Sequence, residues 1–177
     1  MRALLFAVAL VAAGQLPSAQ QPLMQVGSID LPRVEGRIDH LAFYAAGQRL
    51  FVAALGNNTV EVLDLKGGAH LKSLPGFREP QGIAVVPDPR LVAVANGQGE
   101  GLRLLNGDDY RPASMIRLGD DSDNVRYDAA AKRLYVGFGS GALAAVNPAD
   151  WPTPIVKPES AMFAWWFELS VFAIPIC

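Results

Sequence analysis

The chain has 177 residues, 51% of them hydrophobic and 18% charged, and a formal net charge of −2. That length holds one ordinary domain with its own core, and the composition is globular, not disordered. With near-neutral charge and Lys and Arg scattered singly, no basic surface is offered to nucleic acid, and no nucleic-acid partner is expected.

The first segment, "MRALLFAVALVAAGQLPSAQ" (residues 1–20), has one positive charge at Arg2, an apolar run from Ala3 to Ala13, then small residues and the helix-breaking Pro17. This is the layout of a secretory signal peptide. The apolar run falls short of the about 20 residues that a membrane span needs, which leaves an uncleaved anchor as the alternative. The folded part is therefore expected outside the cytoplasm, periplasmic or secreted. Residues 21–35 read as a linker or a first strand. The single cysteine, Cys177, allows no intrachain disulfide and no cysteine-based metal cluster, so stability must come from burial.

From residue 36 to 150 the sequence repeats. "RIDHLAFYAAGQRLFVAALGNNTVEVLDL" (37–65), "PQGIAVVPDPRLVAVANGQGEGLRLLNG" (80–107) and "DNVRYDAAAKRLYVGFGSGALAAVNP" (123–148) follow one grammar. Each has an apolar strand, a turn, a second strand, a Gly/Asn turn and a third strand. Aligned on Leu50, Leu91 and Leu134, the copies recur about every 40 to 45 residues, within the range of propeller blades. "TVEVLDL" alternates with period two, and Val, Ile, Phe and Tyr fill the other runs, as strands require. Breakers stand at "AAGQ", "PDPR", "GNN", "GQGEG" and "LKGG". Outer strands are expected at "HLKSLPG" (70–76) and "PASMIRLGD" (112–120), giving four-stranded antiparallel blades. The expected fold class is thus all-β, a β-propeller of about three blades. A closed ring takes about 4 to 8, so this set is incomplete, and its open blade faces favour self-association.

The sequence pattern of apolar strand, turn, "RLFVA" or "RLYV", Gly/Asn turn and "TVEVLDL" resembles the YVTN-type repeat of bacterial exported β-propellers, the YncE-like group. That resemblance implies an exported propeller scaffold and assigns no ligand, because the group is defined by its scaffold.

Residues 151–177 break the grammar. Three prolines in "WPTPIVKP" rule out a central strand, and 161–176 is almost continuously apolar apart from Glu168. This tail reads as sequence foreign to the propeller, as after a frameshift or a premature end. Two alternatives remain: a membrane-docking helix with aromatics beside one charge, and a cap over an open blade face.

Propeller ligands bind around the central channel, at the start of each innermost strand. The three copies place "RIDH" (37–40), "EPQG" (79–82) and "DDSDN" (120–124) there. The candidate ligand-binding residues are Arg37, Asp39, His40, Glu79, Gln81, Asp121, Asp123 and Asn124. Each has a structural alternative: His40 can pin its loop to a carboxylate or carbonyl, and Asp121 and Asp123 can cap the turn through their own backbone. Asn57 and Asn58 serve a tight turn, with Asn96 and Gly97 in the matching turn of the second copy. Glu79, Asp121 and Asp123 are also candidate ligands for a hard divalent cation such as Ca²⁺, which takes about 6 to 8 oxygens. Neither a His-x-x-x-His pair nor a Gly-x-Ser-x-Gly elbow is present, and no complete catalytic set can be assembled. The expected function is therefore non-catalytic: a scaffold whose channel face takes a small molecule or a protein partner. The alternative is a metal-dependent lactone or ester hydrolase of the gluconolactonase-like propeller type.

Overall fold

Short runs of alternating or continuous β-branched and apolar residues, cut by Gly, Asn and Pro, pair with their sequence neighbours because three- to five-residue turns bring them back antiparallel. The computed structural model describes residues 23–99, 101–119, 121–139, 141–150 and 172–175. Among these are three four-stranded antiparallel sheets. The first contains β1 (Leu41–Tyr44), β2 (Arg49–Ala54), β3 (Thr59–Asp64) and β4 (Ala69–Leu74) in chain order, and the second β5 (Pro80–Val86), β6 (Leu91–Asn96), β7 (Gly101–Asn106) and β8 (Pro112–Ile116). The third has β9 (Val125–Asp128), β10 (Arg133–Phe138) and β11 (Ala142–Val146), with β12 (Phe172–Pro175) outside β11. The sheets stack as propeller blades, β5 touching β1 on one side and β9 on the other. The all-β propeller fold is thus as expected, as an arc of three blades.

Burial patterns follow from the stacking. β6, in the middle blade, is buried at all six positions because each of its faces meets another blade. In β10 the residues facing the middle blade, Leu134 and Val136, are buried, while Arg133, Tyr135 and Gly137 on the other face are only partly covered. Two cores result. Phe51, Ala53, Val60, Val62 and Leu74 of the first blade meet Ile83, Val92, Val94 and Leu105 of the second. Ala84, Val86, Leu91, Ala93, Leu102 and Leu104 then meet Val125, Leu134, Val136 and Ala144 of the third.

Strand pairing fixes the repeat more finely than sequence matching does. Leu41, Ile83 and Val125 occupy the same place in their blades, opposite Val52, Val94 and Val136, so the period is 42 residues across the two inner strands. The structural counterpart of Leu50 and Leu134 is therefore Val92, and Leu91 matches Arg49 and Arg133. This corrects the alignment on Leu91 by one residue, which in a strand exchanges the two faces. The same side-chain hydrogen bond ends the third strand in every blade: Asp64, Asn106 and Asn147 each accept from the backbone N–H two residues on.

β12 was not expected. Its four residues pair with Ala142–Ala145, and Pro175 stands on the outermost strand, the position in a sheet where proline is tolerated. Phe172–Pro175 are thus extended and not helical. The signal-peptide segment 1–20 and tail residues 151–171 lie outside the described residues, and no helix among the described residues is long and apolar enough to cross a membrane.

Candidate functional site

The 42-residue period brings the polar stretches before β1, β5 and β9 into register. Arg37, Glu79 and Asp121 are counterparts, as are Asp39, Gln81 and Asp123, and His40, Gly82 and Asn124. Backbone bonds repeat accordingly. The N–H groups of Gly56, Gly97 and Gly139 donate to the carbonyls of Arg37, Glu79 and Asp121, at 2.9, 2.9 and 3.2 Å. Those of Asp39 and Asp123 donate to Ala53 and Gly137, at 2.8 and 3.0 Å. These bonds hold one rim at one end of the innermost strands.

Adjacent blades are also tied at this rim. The Glu79 N–H donates to Asn58 Oδ1 at 2.8 Å, from the second blade to the first, and the Asp121 N–H to the Gly97 carbonyl at 2.9 Å, from the third to the second. Asn58 has φ 58°, the left-handed conformation that suits its turn, while Asn57 accepts from the Glu35 N–H and donates to Thr59. Asn96 differs from these: it is the last residue of β6, fully buried, and its side chain accepts from the Arg78 N–H and donates to the Gly101 carbonyl, bracing the turn from inside.

The rim side chains divide into engaged and unengaged groups. Arg37 donates to Asp39 Oδ2 at 2.9 Å, and His40 Nδ1 lies 3.0 Å from Asp39 Oδ1 without the alignment of a hydrogen bond. Gln98 donates to Glu79 Oε1 at 2.6 Å. Asp121, Asp123 and Asn124 make no side-chain hydrogen bond or ion pair among the described residues, and neither aspartate caps a turn as the structural alternative required. Ser122, between the two aspartates, is buried with its hydroxyl unpartnered. Glu79 and Asp121, at equivalent positions, both have left-handed backbone, with φ 52° and 55°. Such a conformation costs a non-glycine residue on the order of 1 kcal/mol.

Among the described residues no three His, Cys, Asp or Glu side chains converge to hold an ion, and Glu79, Asp121 and Asp123 form no such group. Glu79 and Asp121 are counterparts on different blades, and Glu79 turns to Gln98.

A second polar cluster escaped the sequence reading. Glu61, in the middle of β3, is 0% exposed, and accepts from Thr59 Oγ1 at 2.5 Å and Ser73 Oγ at 2.9 Å on Oε1. His70 Nε2 lies 2.7 Å from Oε2. Both carboxylate oxygens are thus satisfied, which a buried charge requires. Pairing of Glu61 with Ser73 across β3 and β4, with a bulge at Val62/Leu63, gathers these groups, and a linear sequence does not show it. A cleft of about 530 Å³ also opens between the outer strands of the first two blades, lined by Lys72, Phe77, Arg103 and Tyr110 among others. Its floor is packing: Tyr110 meets Phe51 edge to face, with Lys72 5.8 Å from the Tyr110 ring and Arg103 5.0 Å from that of Phe77.

No family model matches the chain, and no curated protein matches its sequence. Among solved structures the chain is similar to Kuenenia stuttgartiensis hydrazine synthase, a β-propeller-containing protein, at 18% identity with a TM-score of 0.58. The match covers 63% of this chain and 32% of that one, so the chain spans about a third of the structure it resembles. At that identity the likeness concerns the fold alone.

Proposed function

We propose that this protein is an exported binding scaffold, periplasmic or secreted, whose channel-end rim takes a small molecule or a protein partner without catalysis. The observation that carries the reading is the repetition of polar groups at one rim, where equivalent positions of three blades supply Arg37, Glu79 and Asp121, then Asp39, Gln81 and Asp123. Glu79 and Asp121 hold these places in left-handed backbone, a cost that concentrates where function demands it. Export is supported by the layout of residues 1–20, and the YVTN-type grammar of residues 36–150 is in keeping with it.

Electrostatics narrows the ligand. Arg37 is paired with Asp39 and Glu79 bonds Gln98, so among the described residues Asp121 and Asp123 are the unengaged carboxylates of the rim. A cation or a donor-rich ligand suits them best. The hydrolase reading finds no three-ligand group among the described residues.

Calorimetric titration with spermidine and, separately, with Ca²⁺ tests the proposal. Spermidine is expected to bind one to one, with binding lost in Asp121→Asn/Asp123→Asn while thermal stability is unchanged. Absence of spermidine binding, or binding indifferent to that double replacement, overturns the rim as the site. Ca²⁺ binding that depends on Glu79, together with lactone hydrolysis, would establish the hydrolase instead.

A further inference from the structure

The first blade has a face built for a blade that the described residues do not supply. Leu41, Phe43, Leu50 and Val52 are the 42-residue counterparts of Ile83, Val85, Val92 and Val94, which seat on the first blade, and of Val125, Tyr127, Leu134 and Val136, which seat on the second. In the inner blades Ile83, Val92, Val94, Val125, Leu134 and Val136 are buried, and Val85 and Tyr127 partly so. In the first blade Val52 is buried and Leu50 half-buried, whereas Leu41 and Phe43 remain 55% and 53% exposed. Contiguous apolar side chains left in water mark an interaction surface.

The surface that such a face seats on is equally well defined. In the first blade it is Phe51, Ala53, Val60 and Val62, and in the second Ala93, Ala95, Leu102 and Leu104. Both are occupied by the following blade. Strand pairing in the third blade makes Tyr135, Gly137, Leu143 and Ala145 their counterparts, and all four are only partly covered. The chain therefore carries both halves of its own blade-to-blade interface at opposite ends of the arc.

We infer that the occupant is a second copy of this chain, the first blade of each seating on the third blade of the other in the register of the two internal interfaces. The contact is between unlike faces, so it continues the ring and closes when the blade count permits. Two arcs of the three described blades make six, inside the range of about 4 to 8 for closed propellers, whereas three such arcs exceed it. The assembly is a dimer, with two rims like the one described facing a common channel. This inference does not depend on the rim's being a ligand site.

Sedimentation velocity of the full chain tests it, with Phe43→Asp and Tyr135→Asp as the disrupting variants. Both side chains lie outside the two internal cores, so far-ultraviolet circular dichroism should be unchanged. The wild type is expected as a discrete dimer, each variant as a monomer, and an equal mixture of the two variants should recover part of the dimer because one of its two junctions is intact. A monomeric wild type, whose open face is then covered by residues 151–171 or by nothing, overturns the inference. So does a dimer that Phe43→Asp disrupts and Tyr135→Asp leaves intact, which would be first blade against first blade. Open-ended oligomers would overturn closure.

Discussion

Replacing Gly82 with Val is expected to separate the second blade from the third. A Cβ at this position would stand 2.0 Å from the Asp123 carbonyl oxygen and 2.7 Å from the Val125 nitrogen. Both obstacles are backbone of β9 and its approach, so neither can rotate away as a side-chain tip would. Relief requires the innermost strands to part, which undoes the packing of Ala84 and Val86 on Val125 and Val136. Overpacking usually costs about 1 to 3 kcal/mol, and an obstacle made of backbone places this variant at the top of that range or above. Urea denaturation followed by circular dichroism gives the number. Gly137→Ala is the control, since nothing lies within 4 Å of its added Cβ, and it should change stability by less than about 1 kcal/mol. Equal effects from the two substitutions would mean that the blades do not meet at Gly82.

Phe51→Ala should cost about 3 to 5 kcal/mol, the usual loss for emptying a buried phenylalanine site. Phe51 is among the largest fully buried side chains and sits where the first two blades meet, among Val60, Val62, Ile83 and Val92. Its ring also meets that of Tyr110 at 5.7 Å and 77°, an edge-to-face pair that adds about 1 kcal/mol to simple burial. Tyr110 holds φ 63° in the turn after β7, a conformation that a bulky residue keeps only with support, and Phe51 supplies part of it. The same denaturation experiment measures the loss, and a change below about 1 kcal/mol would contradict a core shared between these blades.

How much of this was legible in the sequence differs from element to element. Strands such as Thr59–Asp64 and Arg133–Phe138 show themselves because alternation and β-branched composition are local properties, read without knowing what lies opposite. The period was legible too, yet the match of Leu91 with Leu50 and Leu134 was off by one. "RL" recurs in all three copies and the turns keep the same register, but in the second the dipeptide stands one position earlier, so its Arg90 falls in the turn while Arg49 and Arg133 open strands. A dipeptide match cannot detect such a slip, and pairing can. β12 was hidden for a different reason: its partner β11 lies many residues earlier in the chain, and the prolines that exclude a central strand say nothing against an outermost one.

The rim and the Glu61 cluster make the same contrast within one blade. Arg37, Asp39, Glu79, Gln81, Asp121 and Asp123 stand out because repetition itself marks them, and strand register makes them counterparts in their blades. Glu61 and His70 do not repeat. Their meeting depends on how β3 and β4 pair around a bulge, and the equivalent residue of the second blade is Arg103, which reaches instead for the Gly76 carbonyl of the first. Positions that repeat are therefore readable in advance in a chain of this kind, whereas a polar cluster peculiar to one blade emerges only from the fold.

Rim, cores and open faces all rest on the same stacking register, and methyl nuclear Overhauser effects at Leu91 and Val92 test it most directly. The account predicts that Val92 methyls see the first blade, through Phe51, Val60 and Val62, and that Leu91 methyls see the third, through Leu134 and Val136. The reverse pattern, with Leu91 against the first blade and Val92 against the third, would contradict it, and the channel-end residues of the second blade would no longer align with those of the other two.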